Sequence, residues 1–164
     1  MFQFLSYLKF LIGSTNQHGV HSPFVYNLLT KGLYSEKKQG VSVKEHVLTT
    51  AISYFNYKSI AFVCADDYII NRIVAIFGHL EFDTLPLDVI FVEENGKVFT
   101  SISKESYHND TMLMISGIYK NKQRKVAWQN IKELPEVTVT IDLFHCGLVF
   151  FRREQAKEHF KIRI

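Results

Sequence analysis

The chain has 164 residues, the length of one domain. Its 47% apolar and 14% aromatic content suffices for a full core and excludes a disordered polypeptide. A formal charge of +3 comes without a dense Lys/Arg stripe, so it does not amount to a nucleic-acid footprint.

The first residues, MFQFLSYLKFLIGSTN, are apolar, but no basic stretch precedes them and no small-residue cleavage motif follows. They read as an amphipathic helix over 2–12, with Phe4, Leu5, Leu8, Leu11 and Ile12 at helical spacing. A signal peptide and a membrane span are not expected. Next comes TNQHGVHSPFVY (15–26), which looks made for chemistry because two histidines flank a Gly-Val. Ser22 stands at an N-cap position and Pro23 at the first helical position, where its missing N–H costs nothing. Phe24, Val25, Leu28 and Leu29 continue that second helix to about Gly32, and Ser35 to Gly40 is a polar linker.

Val43, Val47, Leu48, Ala51, Ile52 and Phe55 lie on one face of a third helix. Ile60–Cys64 is apolar throughout, as a strand covered on both faces should be. Asp66 or Asp67 caps a helix running to Phe77, with Gly78 closing it. Val89–Val92 is a second buried strand, and Glu93-Glu94-Asn95-Gly96 a turn. A weak helix or irregular segment at 98–107 leads to a third strand, Thr111–Ile115. Residues 119–134 form a basic helix with Val126, Trp128, Ile131 and Leu134. Val137–Leu143 and Leu148–Arg152 then make a tight hairpin around His145-Cys146-Gly147. This order predicts an α/β fold: a mostly parallel mixed sheet of about five strands, with an antiparallel C-terminal hairpin. Residues 1–34 form a helical extension packed on a core of 41–164. Cys64 and Cys146 lie in apolar runs without metal-ligand spacing, which points to reduced thiols, a cytoplasmic location and no metal.

Two ends of the chain carry a resemblance. TNQHGVHSPFVYNLLTK (15–31) and VTVTIDLFHCGLVFFRREQAKEHFKIRI (137–164) resemble the two ends of bacterial class I S-adenosylmethionine-dependent methyltransferase-like proteins. AWQNIKELPEV (127–137) is similar to their helix before the hairpin, and DVIFVEEN (88–95) and TMLMISGIY (111–119) resemble their fourth and fifth strands. The resemblance implies a Rossmann-like sheet whose order, in family numbering, is first, fourth, fifth, seventh, sixth.

The motifs that would hold the cofactor depart from the family pattern. The family's first strand ends in an acid followed by a glycine-rich turn, which lets the backbone approach the cofactor. In SIAFVCADDYIINRI (59–73) the acid's place is held by Phe62 and the glycine places by Cys64 and Tyr68. The Tyr68 ring is expected to occupy space meant for the cofactor. Gly78 to Leu87 is too short for the family's next β-α-β unit, which leaves the first strand as an edge shielded by the N-terminal helices or a partner. Ser116 and Gly117 replace the acids expected after the fifth strand.

Each candidate residue has a plain reading beside a sharp one. His18 and His21 mark a helix junction, or form a lid over a ligand. Asp66 and Asp67 cap a helix, or bind a hydroxyl or cation at a strand end. Glu93 belongs to a solvated turn, or survives as a pocket acid. Cys64 is a packing residue rather than a nucleophile. Lys120, Lys122, Arg124 and Lys125 form a solvated helix face, and with Arg152, Arg153, Lys157, Lys161 and Arg163 they leave open a weak binder of an acidic partner or nucleic acid.

The leading expectation is thus a methyltransferase-like protein that has lost cofactor binding and catalysis and acts as a structural or protein-interaction module, with no catalytic residue. A homodimer through the first strand or the N-terminal helices is compatible with it. The alternative is an active enzyme with an atypical S-adenosylmethionine pocket built on Cys64, Asp66 and Glu93.

Overall fold

The computed structural model describes residues 1–93 and 102–164. Helix α1 spans Phe2–Gly13, α2 Pro23–Leu28, α3 Val43–Phe55, α4 Asp67–Ile76 and α5 Lys122–Glu133. The strands are β1 Ser59–Val63, β2 Glu81–Phe82, β3 Leu87–Val92, β4 Tyr107–Ser116, β5 Val139–Asp142, β6 Cys146–Phe150 and β7 Glu158–Lys161. They form one mixed sheet in the order β2-β1-β3-β4-β6-β5-β7.

The five expected strands occur in the expected order, and two further strands extend the sheet to seven. The expectation of five strands is corrected at both edges. β2 pairs parallel with β1 over Ser59 and Ile60, and β7 pairs parallel with β5 along its four residues. The span Gly78–Leu87 therefore does hold a strand, and β1 is not a bare edge at its start. The connection is short because β2 matches only the first two residues of β1. From Phe82 the chain must pass under one strand end, roughly 10 Å, which four residues span easily. At that end Asp88 Oδ2 accepts the N–H groups of Lys58 (2.6 Å) and Ser59 (3.1 Å), and its Oδ1 meets His108 Nε2 at 2.9 Å.

The helices cover both faces. On one, Val25, Leu28 and Leu29 join Val47, Leu48, Ala51 and Ile52 of α3 and Ile69 and Ile73 of α4 over the inward side chains of β1, β3 and β4. On the other, Trp128 and Ile131 of α5 and Phe10 of α1 cover Ile90, Val92, Leu113 and Val149. Because residues of α2 sit in the same core as the sheet, the N-terminal segment is part of the hydrophobic unit.

Local signals explain most boundaries. Ser22 Oγ accepts Val25 N–H at 3.4 Å and Asp66 Oδ1 accepts Ile69 N–H at 2.8 Å, so both expected caps form. The second helix is α-helical only to Leu28 and widens into a π-helical turn over Leu29–Leu33. The expected segment at 98–107 falls partly outside the described residues, as do Glu94, Asn95 and Gly96 of the turn; Lys104–Ser106 is a short 3-10 turn, and β4 starts at Tyr107.

The stripe of α1 faces the opposite way from the sequence expectation. Its buried residues are Ser6 and Phe10. Phe4, Leu5, Leu8 and Ile12 are exposed, at 64, 51, 41 and 88%. The helix rests on the Phe144 ring, 4.8 Å from Tyr7 and 5.5 Å from Phe10, and Leu11 of the expected stripe packs, partly buried, against the same core. Backbone bonds then fix the segment that follows: Thr15 N–H donates to Lys161 O at 2.9 Å, and Arg163 N–H to Thr15 O at 3.0 Å.

Candidate functional site at the strand ends

In open α/β sheets, ligands settle at the carboxyl ends of the strands where neighbouring connections diverge. Here that place lies beyond Val63, Val92 and Ser116. Several sequence candidates meet there, joined by two cations the sequence reading did not single out as site residues.

Asp66, just past β1, caps α4. Glu93, just past β3, accepts the Asp66 N–H through Oε2 at 3.0 Å. Lys44, in the first turn of α3, bridges the two acids, with Nζ 3.3 Å from Asp66 Oδ2 and bonded to Glu93 Oε1. Arg124, in the first turn of α5, donates through Nη2 to Glu93 O at 2.7 Å and also to Ser116 O. A polar strap therefore runs across three strand ends: Asp66, Lys44, Glu93, Arg124, Ser116. Gly117 has a φ of +65° and lies under the Arg124 guanidinium, whose carbon would be 3.6 Å from an added Cβ.

The protonation of the strap follows from its geometry. Burial opposes the charge on Lys44, but the hydrogen bond and charge of Glu93, with Asp66 behind them, reverse this and hold the amine above the usual lysine value. The Ile69 N–H bond holds the Asp66 carboxyl below the usual range; burial opposes it, and the charge and hydrogen bond of Lys44 add to the lowering. Lys44 and Asp66 are thus both charged near neutrality, and the one amine serves both Asp66 and Glu93.

The residues expected to block the cofactor behave differently from the expectation. Tyr68 is 60% exposed in the first turn of α4, so its ring stands in solvent and does not fill the crevice. Phe62 lies between Phe82 and Phe91, with centroids 6.2 and 6.0 Å away. Cys64 is exposed and has a φ of +52°. The backbone takes the left-handed turn that suits a glycine, with a cysteine at the position. An L-residue there costs about 1 kcal/mol or more. Cys64→Gly should therefore raise stability, by up to about 1 kcal/mol after the entropy cost of glycine. The midpoint of urea unfolding measures it, and a lower midpoint in the variant would refute the strain.

His18 and His21 are both exposed. His18 sits in a 3-10 turn, Gln17–Gly19, and its own N–H is capped by Asn16 Oδ1 at 3.1 Å. Thr15 pairs with Ile162 beside β7, so this stretch lies at the sheet edge away from β1. Of the basic face, Lys120 and Lys122 are exposed as expected, whereas Arg124 turns to the strand ends. Lys125 lies over the Tyr119 ring at 5.7 Å, and Arg152 pairs with Asp110 at 2.9 Å and Glu154 at 2.6 Å. Among the described residues, no group of three or more His, Cys, Asp or Glu is placed to hold a metal ion, and no helix is long and apolar enough to cross a membrane.

A second buried polar pair lies past β5. Tyr119 O–H donates to Asp142 Oδ2 at 2.6 Å, and Phe144 N–H to Oδ1 at 3.0 Å. Burial raises the Asp142 carboxyl despite these bonds, and burial with the nearby acid raises the Tyr119 hydroxyl. The Tyr119 ring stacks on Phe144 at 5.0 Å, so the pair is packed into the support of α1. A cavity of about 740 Å³ opens between the Leu29–Leu33 turn, α3 and α4, where Arg72 Nε reaches the buried Glu45 Oε1 at 3.0 Å. It is not at the strand ends.

Lys44 and Arg124 were legible in principle. Each stands in the first turn of its helix, where the helix dipole disfavours a positive charge. A cation in that position calls for an acceptor nearby, and the strand ends supply it. Compared with known proteins, the chain matches no family model and no curated protein.

Proposed function

We propose that this chain is a methyltransferase-like protein that no longer binds S-adenosylmethionine, carries no methyl transfer, and serves as a structural or protein-interaction module. The observation that carries this reading is the strap. Where a cofactor's ribose and methionine would meet free acids and bare backbone, both acids are engaged by the Lys44 amine, and Arg124 covers the carbonyls of Glu93 and Ser116. The strand order, which agrees with the one the resemblance implies, supports the relationship. Two further departures bear on it: Cys64 adds a side chain at the left-handed turn after β1, and the family's hydroxyl-binding unit has only the two-residue β2 in its place.

An active enzyme using Asp66 and Glu93 as anchors would first have to break both salt bridges of Lys44, and the binding energy spent there would be lost from the cofactor. Isothermal titration with S-adenosylmethionine and S-adenosylhomocysteine at up to millimolar concentration should give no saturable heat. A micromolar dissociation constant for either would overturn the proposal.

A further inference from the structure

Among the described residues, the clearest unpartnered surface is the outer face of α1. At about 100° per residue, Phe4, Leu8, Ile12 and Leu5 fall within an arc roughly 100° wide. That arc lies directly opposite the buried stripe of Ser6 and Phe10. The helix is therefore apolar on two sides, and a helix apolar all round belongs inside something.

We infer that this face pairs with the same face of a second copy, giving an antiparallel two-helix contact about a two-fold axis at Leu8. The composition of the arc selects the occupant. It contains no charge; the one charged residue of α1 is Lys9, at its margin, and the helix carries no acid. A complementary surface must be equally apolar and uncharged, and this chain itself displays one. The axis at Leu8 brings Phe4 against Ile12 of the partner subunit, a large ring against a branched side chain.

Area agrees with a dimer. The four side chains expose on the order of 400–500 Å² per copy, near the size of the largest patch on an ordinary monomer. Doubled by the two-fold axis and widened by the flanks of Tyr7 and Lys9, the contact hides about 1,000–1,200 Å², the lower end of specific interfaces. A lipid surface fits the helix less well. Interfacial helices carry a strongly basic polar face, whereas the other side of α1 is docked on Phe144.

This names the partner for the association role proposed above and rests on that reading for its purpose. Its physical case stands on α1 alone: a monomer would remove the pairing and leave the loss of cofactor binding untouched, and cofactor binding would do the reverse.

Sedimentation equilibrium of the full chain should show a monomer–dimer equilibrium with a micromolar dissociation constant. Leu8→Glu, at an exposed position, should weaken it by about 100-fold or more, because two carboxylates then face each other at the axis. Val126→Glu, on the exposed side of α5, should leave it unchanged. In a Cys64→Ser background, Leu8→Cys should form an intermolecular disulfide under mild oxidation. A wild-type chain that stays monomeric at several hundred micromolar overturns the inference, as does a Leu8→Glu variant that dimerises like wild type. Flotation of a monomeric chain with phosphatidylcholine vesicles would assign the face to lipid and overturn it equally.

Discussion

Gly147→Ala is expected to lower the stability of the fold by about 3 kcal/mol, a large loss for one methyl group. Gly147 lies in β6, between β4 and β5, opposite Ile115 and Asp142. An alanine Cβ there would come within 2.5 Å of both Cη2 and Cζ3 of Trp128. Neither side yields easily. Gly147 is held in register by two neighbouring strands, and Trp128 is 1% exposed in the core beneath α5. The indole N–H has no acceptor among the described residues, so shape rather than hydrogen bonding fixes the ring. Urea unfolding of the single variants and of Gly147→Ala with Trp128→Leu gives the test. The pair should couple by more than about 1 kcal/mol, because the smaller side chain makes room for the methyl group. Simple additivity would mean that the ring and the strand do not oppose each other.

Lys44→Met should cost about 2 kcal/mol at neutral pH. The figure lies between two limits: an exposed pair contributes 0–1 kcal/mol, and breaking a buried one costs about 3–5. The side chains of Lys44 and Glu93 are 25% and 16% exposed, nearer the buried case, while Asp66 at 53% adds little. The pH dependence carries a sign. Lys44 titrates above its ordinary 10.5, so its contribution is complete below that value and fades as pH rises through the folded value. Asp66 titrates below its ordinary 3.8, but the Ile69 N–H bond leads that shift and the variant keeps it, so the acid side changes the gap little. The gap between wild type and variant should be flat around neutral pH and narrower at pH 11. A gap of the same size at pH 7 and 11 would show that lost packing, not charge, accounts for the change. Breaking the strap also tests the proposed function from the other side. If Lys44→Met bound S-adenosylmethionine where wild type does not, the strap would be the main obstacle, and the side chain at Cys64 a lesser one.

What was legible in the sequence follows from how each element is stabilised. Strands buried on both faces write themselves as apolar runs, so β1, β3 and β4 were readable and their order followed from the resemblance. Ser22, Pro23 and Asp66 announced helix starts because their roles are local. β2 and β7 were not readable. Glu81–Phe82 is exposed at both residues, and Glu158–Lys161 is mostly polar; both exist because a neighbouring strand offers free backbone groups. Periodicity showed that α1 has an apolar face but not which way it points, since spacing alone carries no information about what lies opposite. The site divided the same way. Cys64, Asp66 and Glu93 were candidates by position after strands, whereas Lys44 and Arg124 reach the site from helices far away in sequence, and only the dipole argument marked them.

The bonds that join Thr15 to Lys161 and Arg163 have a consequence for folding kinetics. They link segments far apart in sequence, so loop-closure entropy is lost before the contact offsets it. Seating the apolar α1 segment is therefore a non-local event, slow beside the local helix starts at Ser22 and Asp66.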